Sequence, residues 1–156
     1  MSSDIENNQI VPQIFTLQEI NKATSSLTFA ADLVKAIGDG FVAYSNGKFN
    51  ACPIQTMGAP PMAPFQDSNK AEYAAQTCVK SGYLTGESHY VIKVASGGYP
   101  FPSNSGLMQV FSQTTGRLEA LLLDEGILTE LRTAAVGAVV AKILAPKNIS
   151  CIGEFY

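Results

Sequence analysis

The spacing of apolar residues predicts two helices near the N-terminus. Thr16 followed three residues later by Glu19 has the form of a capping box, so a helix is expected to begin after Thr16. A longer helix is expected from about Thr28, with Gly38 weakening its second half and Asn46-Gly47 ending it in a left-handed turn. Its apolar face repeats mainly at steps of four: Phe29, Leu33, Ile37, Phe41 and Tyr44.

Between residues 48 and 68 the pattern changes to prolines among small and apolar residues. Proline lacks a backbone N–H, so it is excluded from helix interiors and central strands. We therefore expect a long extended loop here, and such a loop is unusual unless it lines a site. The prolines are Pro53, Pro60, Pro61 and Pro64.

The second half of the chain predicts a sheet followed by a helix. Its apolar runs are rich in β-branched and aromatic residues and are separated by clusters of turn-forming residues. A last helical stripe ends at Pro146 and leads into a short apolar run. In chain order, we expect strands over 73–80 and 89–95, a hairpin of 107–113 with 118–123, a helix over 129–145 and a strand over 149–153.

Composition and charge narrow the class of protein. The 156 residues are 46% apolar and 15% charged, which excludes disorder along the whole chain. The net charge of −3 offers no basic surface for nucleic acid. No apolar stretch reaches the roughly 20 residues of a membrane span, and the N-terminus lacks the pattern of a secretory signal. We therefore expect a cytoplasmic protein that binds neither nucleic acid nor membrane.

The cysteines and the histidine argue against a disulfide framework or a metal site. Cys52, Cys78 and Cys151 are odd in number and widely spaced, and the sequence has no Cys-x-x-Cys motif. His89 is the one histidine. The sequence therefore predicts reduced thiols and no bound metal.

Lys93 is the first candidate for chemistry. It lies between Ile92 and Val94 in a predicted strand, and two interpretations stay open. On an edge strand the lysine would reach solvent. At a strand end beside the 96–106 loop it would point into a cleft, where it could bind a carboxylate or move a proton, since burial lowers a lysine pKa.

Arg132 and Thr133 form the second candidate. We expect them in the first turn of the final helix, where the helix N-terminus favours anions and the planar guanidinium suits phosphate or carboxylate. The alternative is a solvated arginine paired with Glu130 or Glu125. Asp124, just before the helix, fits turn formation better than general acid–base catalysis.

Five motifs in the second half are more specific than composition. One of them is a Leu-Thr-x-x-Arg-Thr-Ala-Ala run that follows an Asp-x-Gly turn. The motifs occupy residues 91–100, 104–107, 114–116, 120–126 and 128–135. Together they resemble the ornithine cyclodeaminase/mu-crystallin family, and the helices and proline-containing segment over 16–68 fit the same family less distinctively.

The resemblance implies an α/β fold in two parts. Residues 1–127 would form an α+β substrate-binding and dimerisation domain, with a mixed sheet and flanking helices. Residues 128–156 would begin an incomplete Rossmann domain with one helix and one strand. The glycine-rich fingerprint of that domain is not present after Ile152-Gly153, so the chain is expected to be a truncated family member.

The resemblance also implies a function. Family members are NAD(P)-dependent enzymes that act on amino or cyclic imino acids, by deamination, ketimine reduction or amino-acid dehydrogenation, and they dimerise through the sheet. This chain would be the N-terminal portion of such an enzyme, inactive and without bound NAD or NADP on its own. One alternative is a non-catalytic dimerisation or small-ligand-binding module, like mu-crystallin, that pairs with a full-length paralogue. Another is an unrelated α+β domain.

Residue roles follow by motif position. The resemblance implies that Lys93 assists proton transfer and contacts the substrate carboxylate. Arg132 would contact that carboxylate and the cofactor pyrophosphate, and Thr133 a cofactor phosphate. Many members carry an arginine clamp in the first long loop; this chain has none there, so Gln55 is the expected substitute, without a charge-assisted bond. Met62 is expected at the substrate site, although the glutamate that precedes a Met-Pro pair in some members is missing.

Overall fold

The structure is a computed structural model that describes residues 11–58, 76–97 and 105–153. Within those residues the chain forms one seven-stranded sheet and three helices. The elements are β1 (Gln13–Phe15), α1 (Leu17–Thr24), α2 (Phe29–Ser45), β2 (Phe49–Ala51), β3 (Gln55–Met57), β4 (Gln76–Leu84), β5 (His89–Gly97), β6 (Ser105–Ser112), β7 (Leu118–Leu122) and α3 (Ile127–Leu144).

The sheet is mixed, as expected. Its strands lie in the order β1-β7-β6-β5-β4-β2, and β3 pairs with β4 beside β2. β1 runs parallel to β7, whereas all the other described pairings are antiparallel. The hairpin of β6 and β7 confirms the predicted one, and its turn uses Gly116 at φ 67°. A mixed sheet with flanking helices confirms the α/β class.

Alternation along the strands gives the sheet two faces. Lys93 of β5 pairs with Lys80 of β4 and with Met108 of β6, so these three side chains share what we call the cleft face. The neighbouring row, Val79–Val94–Leu107, belongs to the opposite face. We call that side the apolar face, and it comprises Ile14, Val79, Tyr83, Tyr90, Ile92, Val94, Leu107, Phe111 and Leu121.

The two long helices pack against each other, and contacts place both on the cleft face. α2 runs through Gly38 without a break, and a Cβ on that residue would lie 3.9 Å from Cγ2 of Val139 in α3. The glycine predicted to weaken the helix therefore lies where the two helices approach closely. Gly47, at φ 69°, supplies the left-handed turn after α2.

α1 is short and its start follows the sequence signature. The backbone N–H of Thr16 donates to Oε2 of Glu19 at 2.8 Å, and the N–H of Glu19 donates back to the Thr16 hydroxyl at 3.4 Å, which confirms the capping box. Ile20 of α1 and Ala135 of α3 are the buried apolar side chains among the described residues. The apolar faces of the sheet and helices are thus mostly half-buried or exposed.

Two short strands replace part of the loop expected over 48–68. β2 pairs with one end of β4 and β3 with the other, and Pro53 lies between them. Cys52, just before the proline, donates its N–H to the Ser81 carbonyl at 3.1 Å. The expectation of a continuous loop was wrong here because a proline interrupts an edge strand without preventing pairing on either side. Residues 59–68 lie outside the described part.

Other element bounds also differ from those expected. β4 continues to Leu84, beyond the predicted end at residue 80, and residues 73–75 lie outside the described part. α3 begins at Ile127 rather than Thr129, which places Arg132 in the second turn. The strand expected over 149–153 is wrong: these residues have no strand partner, and the Ile152 side chain is 85% exposed. No helix in the described ranges is long and apolar enough to cross a membrane.

Candidate active site

An open cleft of about 670 Å³ lies on the cleft face. Its floor comes from β4, β5 and β6, and α2 and α3 contribute Ile37 and Arg132 to its walls. Gly82 of β4 helps to shape it, because a Cβ there would come 2.5 Å from Cζ of the Phe49 ring. The missing side chain lets that ring cross β4, so aromatic and aliphatic groups surround the charged ones.

Lys93, the middle residue of β5, lies on the floor of the cleft. β5 is a central strand, so the solvent-facing edge interpretation is excluded. The Lys93 ammonium donates a hydrogen bond to the Thr129 hydroxyl in the first turn of α3. Burial lowers the pKa of Lys93, the charges of Arg132 and Lys80 lower it further, and Asp124 partly opposes them. A lysine that loses its proton more readily than usual is suited to proton transfer.

Lys80 is a site residue that the sequence interpretation missed. It is exposed, lines the same cleft and pairs directly across the strands with Lys93. The signal available in the sequence was a lone lysine in each of two neighbouring apolar strands. Which residues face each other depends on register, however, and the expected strand ended at residue 80, so the pairing could not be read from the pattern.

Arg132 reaches the cleft from α3. It is exposed, and among the described residues no carboxylate lies within 4.0 Å of its guanidinium; neither Glu130 nor Glu125 forms the pair considered from the sequence. Its position in the second turn removes the expected contribution of the helix N-terminus, which acts mainly within the first turn. Thr133 is exposed beside it, and its hydroxyl donates to the Thr129 carbonyl at 2.7 Å.

The turn before α3 holds the helix over the cleft. Asp124 is 1% exposed, and its Oδ2 accepts a hydrogen bond from the Leu128 N–H at 3.2 Å. Glu125 and Gly126 both have positive φ, at 47° and 94°. Asp124 therefore secures the first turn of the helix that carries Thr129 and Arg132, which agrees with the turn role predicted for it.

Gln55 and Thr133 are not among the described residues that line this cleft. Gln55 pairs with Val79, so it lies on the apolar face and not among the residues that line the cleft. Met62 lies outside the described residues. The structure therefore places Lys93 and Arg132 in one cleft, with Lys80 as an unpredicted addition, while Thr133 follows Arg132 on α3.

The histidine and cysteines have other surroundings. Nε2 of His89 lies 2.8 Å from Oε2 of Glu119, and Nδ1 lies 2.7 Å from the Ser88 hydroxyl. All three cysteines are free thiols. In residues 11–58, 76–97 and 105–153, no three His, Cys, Asp or Glu side chains form a group able to hold a metal ion.

Comparison with known proteins identifies the family to which the chain belongs. Residues 15–153 match the ornithine cyclodeaminase/mu-crystallin family. "Uncharacterized cyclodeaminase y4tK" of Sinorhizobium fredii is 34% identical over 124 residues, which cover 76% of this chain and 34% of that protein.

Two solved structures share the fold. An archaeal alanine dehydrogenase dimer with bound NAD has a TM-score of 0.67 and 22% identity over 88% of this chain and 38% of that one. The Δ1-pyrroline-2-carboxylate reductase of Thermococcus litoralis, in complex with NADH and L-proline, has a TM-score of 0.67 and 21% identity, over 86% and 38%. The chain thus spans about a third of the length of these relatives. By its sequence match over 15–153, the chain belongs to the ornithine cyclodeaminase/mu-crystallin family.

Proposed function

We propose that this chain supplies the substrate-binding and dimerisation part of an NAD(P)-dependent oxidoreductase or deaminase that acts on an amino or cyclic imino acid. Residues 1–127 carry the substrate site and 128–156 begin the cofactor-binding domain. The observation that carries the proposal is the position of Lys93, whose pKa is lowered, beside Arg132 in one cleft. The names of the relatives, a cyclodeaminase, an alanine dehydrogenase and a pyrroline-carboxylate reductase, support this substrate class.

Lys93 handles the proton of the reaction. In oxidation of an amino acid, the neutral Nζ of Lys93 accepts a proton from the substrate amine; in reduction of an imine, the ammonium returns it to the substrate nitrogen. The hydrogen bond to Thr129 orients Nζ towards α3. Arg132 binds the substrate carboxylate, since its guanidinium has no carboxylate partner among the described residues and a two-pronged bond fixes the orientation of the acid.

Two residues in the second turn of α3 fit a phosphate-bearing cofactor. Arg132 and Thr133 are both exposed, so a guanidinium and a hydroxyl are available on adjacent positions of the helix. A bound nicotinamide cofactor would supply the hydride donor or acceptor, which no side chain of this chain provides. Arg132 and Thr133 would hold its phosphates.

The apolar face is the proposed dimer interface. It presents aromatic and aliphatic side chains across the central strands, and none of them is buried in the isolated chain. Tyr90 and Phe111 stack across β5 and β6 with ring centroids 5.2 Å apart. An apolar face of this extent is typical of a surface that pairs with a second copy of itself about a two-fold axis.

A hydride-transfer assay tests the catalytic proposal. The 156-residue chain and any longer product of its gene are assayed with NAD(P)H and cyclic imino acids, and with NAD(P)⁺ and amino acids. Lys93→Met is expected to lower kcat roughly a hundredfold or more because it removes the proton carrier. Lys142→Met, an exposed lysine in the last turn of α3, is the matched control and should leave kcat unchanged. Turnover that survives Lys93→Met would contradict the assigned role.

A further inference from the structure

The side chains that line the cleft include more cations than carboxylates. Lys80, Lys93 and Arg132 all line it, whereas Glu87 is the one carboxylate among its described lining residues. No ion pair is formed by Lys80 within the described part of the chain. Because buried Asp124 already acts on Lys93, a substrate with a single carboxylate, held by Arg132, would leave Lys80 as the lysine without a paired counter-charge in the described part of the chain.

The two lysines are held in an unfavourable arrangement by the sheet. Side chains directly opposite in an antiparallel pair have Cβ atoms about 4.5–5.5 Å apart, and like charges there destabilise the pair. Lys80 and Lys93 occupy such a pair in the long β4–β5 ladder. An anion between or beside them relieves the repulsion, so its binding is favoured by the charge already in place.

Lys80 differs from Lys93 in its neighbouring residues and in its exposure to solvent. It lies where the edge partner of β4 changes from β2 to β3, beside the 52–54 segment that joins them. Cys52 and Ile54 line this end of the cleft, so an aliphatic chain that leads from Lys93 towards Lys80 meets an apolar wall. Lys80 is exposed whereas Lys93 is half-buried, so the ammonium of Lys80 is the more accessible of the two to a substrate carboxylate.

From this placement we propose that Lys80 binds an acidic group on the substrate side chain. The cleft then takes an amino or imino acid that carries a second carboxylate in preference to one that carries a side-chain ammonium. This inference rests on the proposed function, since it adds a specificity residue to the same substrate site. A side-chain ammonium would lie next to the Lys80 ammonium and is repelled.

Three amino acids with the same five-carbon chain test the proposal. L-glutamate, L-norvaline and L-ornithine differ only in the terminal group, which is a carboxylate, a methyl group or an ammonium. Their dissociation constants for the full 156-residue chain are measured by NMR titration. Glutamate is expected to bind most tightly and ornithine most weakly.

Variants of Lys80 then test whether the preference for glutamate depends on that side chain. Lys80→Met is expected to weaken glutamate binding roughly ten- to a hundredfold while changing norvaline binding little. Lys80→Arg should keep the preference for glutamate, and Lys142→Met, the exposed lysine at the end of α3, should leave all three constants unchanged. A preference for glutamate that survives Lys80→Met would overturn the role of Lys80, as would equal binding of glutamate and norvaline.

Glutarate separates failure of this inference from failure of the proposed function. It has two carboxylates and no amine, and five carbons like the others. If the amino acids bind with no effect of the terminal charge, the specificity role fails and the amino-acid site stands. If glutarate binds in a Lys80-dependent way and none of the amino acids binds, the acid-binding role of Lys80 stands and the amino-acid function fails. If no probe binds, both are overturned.

Discussion

The two faces of the central sheet differ in the chemistry of their side chains: one presents charged groups in a cleft and the other presents mainly apolar groups. On the cleft face, β4 and β5 present Lys80 and Lys93 beneath two helices. On the apolar face, the next positions of the same strands present Val79 and Val94 in a mainly apolar surface that also includes Ser81 and Gln109. One pair of strands therefore carries both the polar cleft and the proposed dimer interface. Alternation along the strands thus lets a cleft and an apolar surface share one backbone while using mostly different side chains.

The substitution with the largest expected effect introduces a charge on the apolar face and weakens the proposed dimer. Val94→Asp places a carboxylate at the middle of the proposed dimer interface, where it would be desolvated without a partner. We expect the dimer dissociation constant to rise at least about a hundredfold, measured by light scattering after size-exclusion chromatography over a range of concentrations. The substitution tests whether the face assembles copies of the chain.

A neighbour on the same strand supplies its control. Val91→Asp also adds a carboxylate to β5, but on the cleft face, where Val91 is 37% exposed. It should leave the dimer intact. Dissociation by both variants would mean that any charge in β5 disrupts the fold, and dissociation by neither would remove the apolar face as the interface.

The second prediction concerns the turn that positions α3 over the cleft. Asp124→Ala removes the acceptor for the Leu128 N–H at the start of the helix. We expect a loss of about 1–3 kcal/mol in the free energy of unfolding, measured by urea titration at one fixed protein concentration. Asp32→Ala, an exposed carboxylate in the first turn of α2, should cost less than about 1 kcal/mol. Equal losses would show that buried Asp124 stabilises the folded chain no more than an exposed carboxylate does.

The third prediction follows from the lowered pKa of Lys93. Its ammonium form is less favourable in the folded chain than in the unfolded one, so the cost is fully present below the folded-state pKa. The cost is relieved as pH rises from that pKa to the unfolded value near 10.5. Lys93→Met should therefore stabilise the chain most near neutral pH and progressively less towards 10.5.

Thermal unfolding at a series of pH values measures this difference. Lys142→Met reports the effect of losing an exposed lysine and is subtracted. A stabilisation by Lys93→Met that grows as the solution becomes more alkaline would contradict the sign derived for Lys93.

The smallest expected effect is a change in the pKa of Lys93 when a neighbouring positive charge is removed from the cleft. Lys80→Met removes one of the positive charges that lower the pKa of Lys93, so that pKa should rise. It should stay below 10.5, because burial is the largest cause of the lowering and remains. NMR titration of ¹³C-dimethylated Lys93 measures the change. An unchanged pKa would place the two ammonium groups too far apart to interact.

Local signals in the sequence predicted the elements of the fold well. The Thr16 capping box, the turn at Gly116 and the helix that ends before Pro146 each depend on residues close together in the chain. Local chemistry and the family resemblance both indicated Lys93 and Arg132, which line the same cleft, and Thr133, which follows Arg132 on α3. Local rules and motifs therefore located the elements and most of the candidate site.

The errors arose where distant parts of the chain meet. Lys80 was missed because its importance lies in the register of β4 against β5. Gln55 was expected at the site, but pairing with Val79 sets it on the other face. The strand over 149–153 has the right composition, yet a strand forms only when another strand pairs with it. Register and pairing are long-range properties, so neither composition nor spacing determines them.

The position of β5 has a consequence for motion. Eight of its residues pair with β4 on one side and eight with β6 on the other, whereas β2 and β3 have three residues each. We expect the backbone amides around Lys93 to exchange with deuterium only through global unfolding, and those of β2 and β3 through local opening. The lysine proposed to move the proton would thus lie in the slowest-exchanging strand of the described residues, while local opening of the rim near Lys80 would admit a substrate.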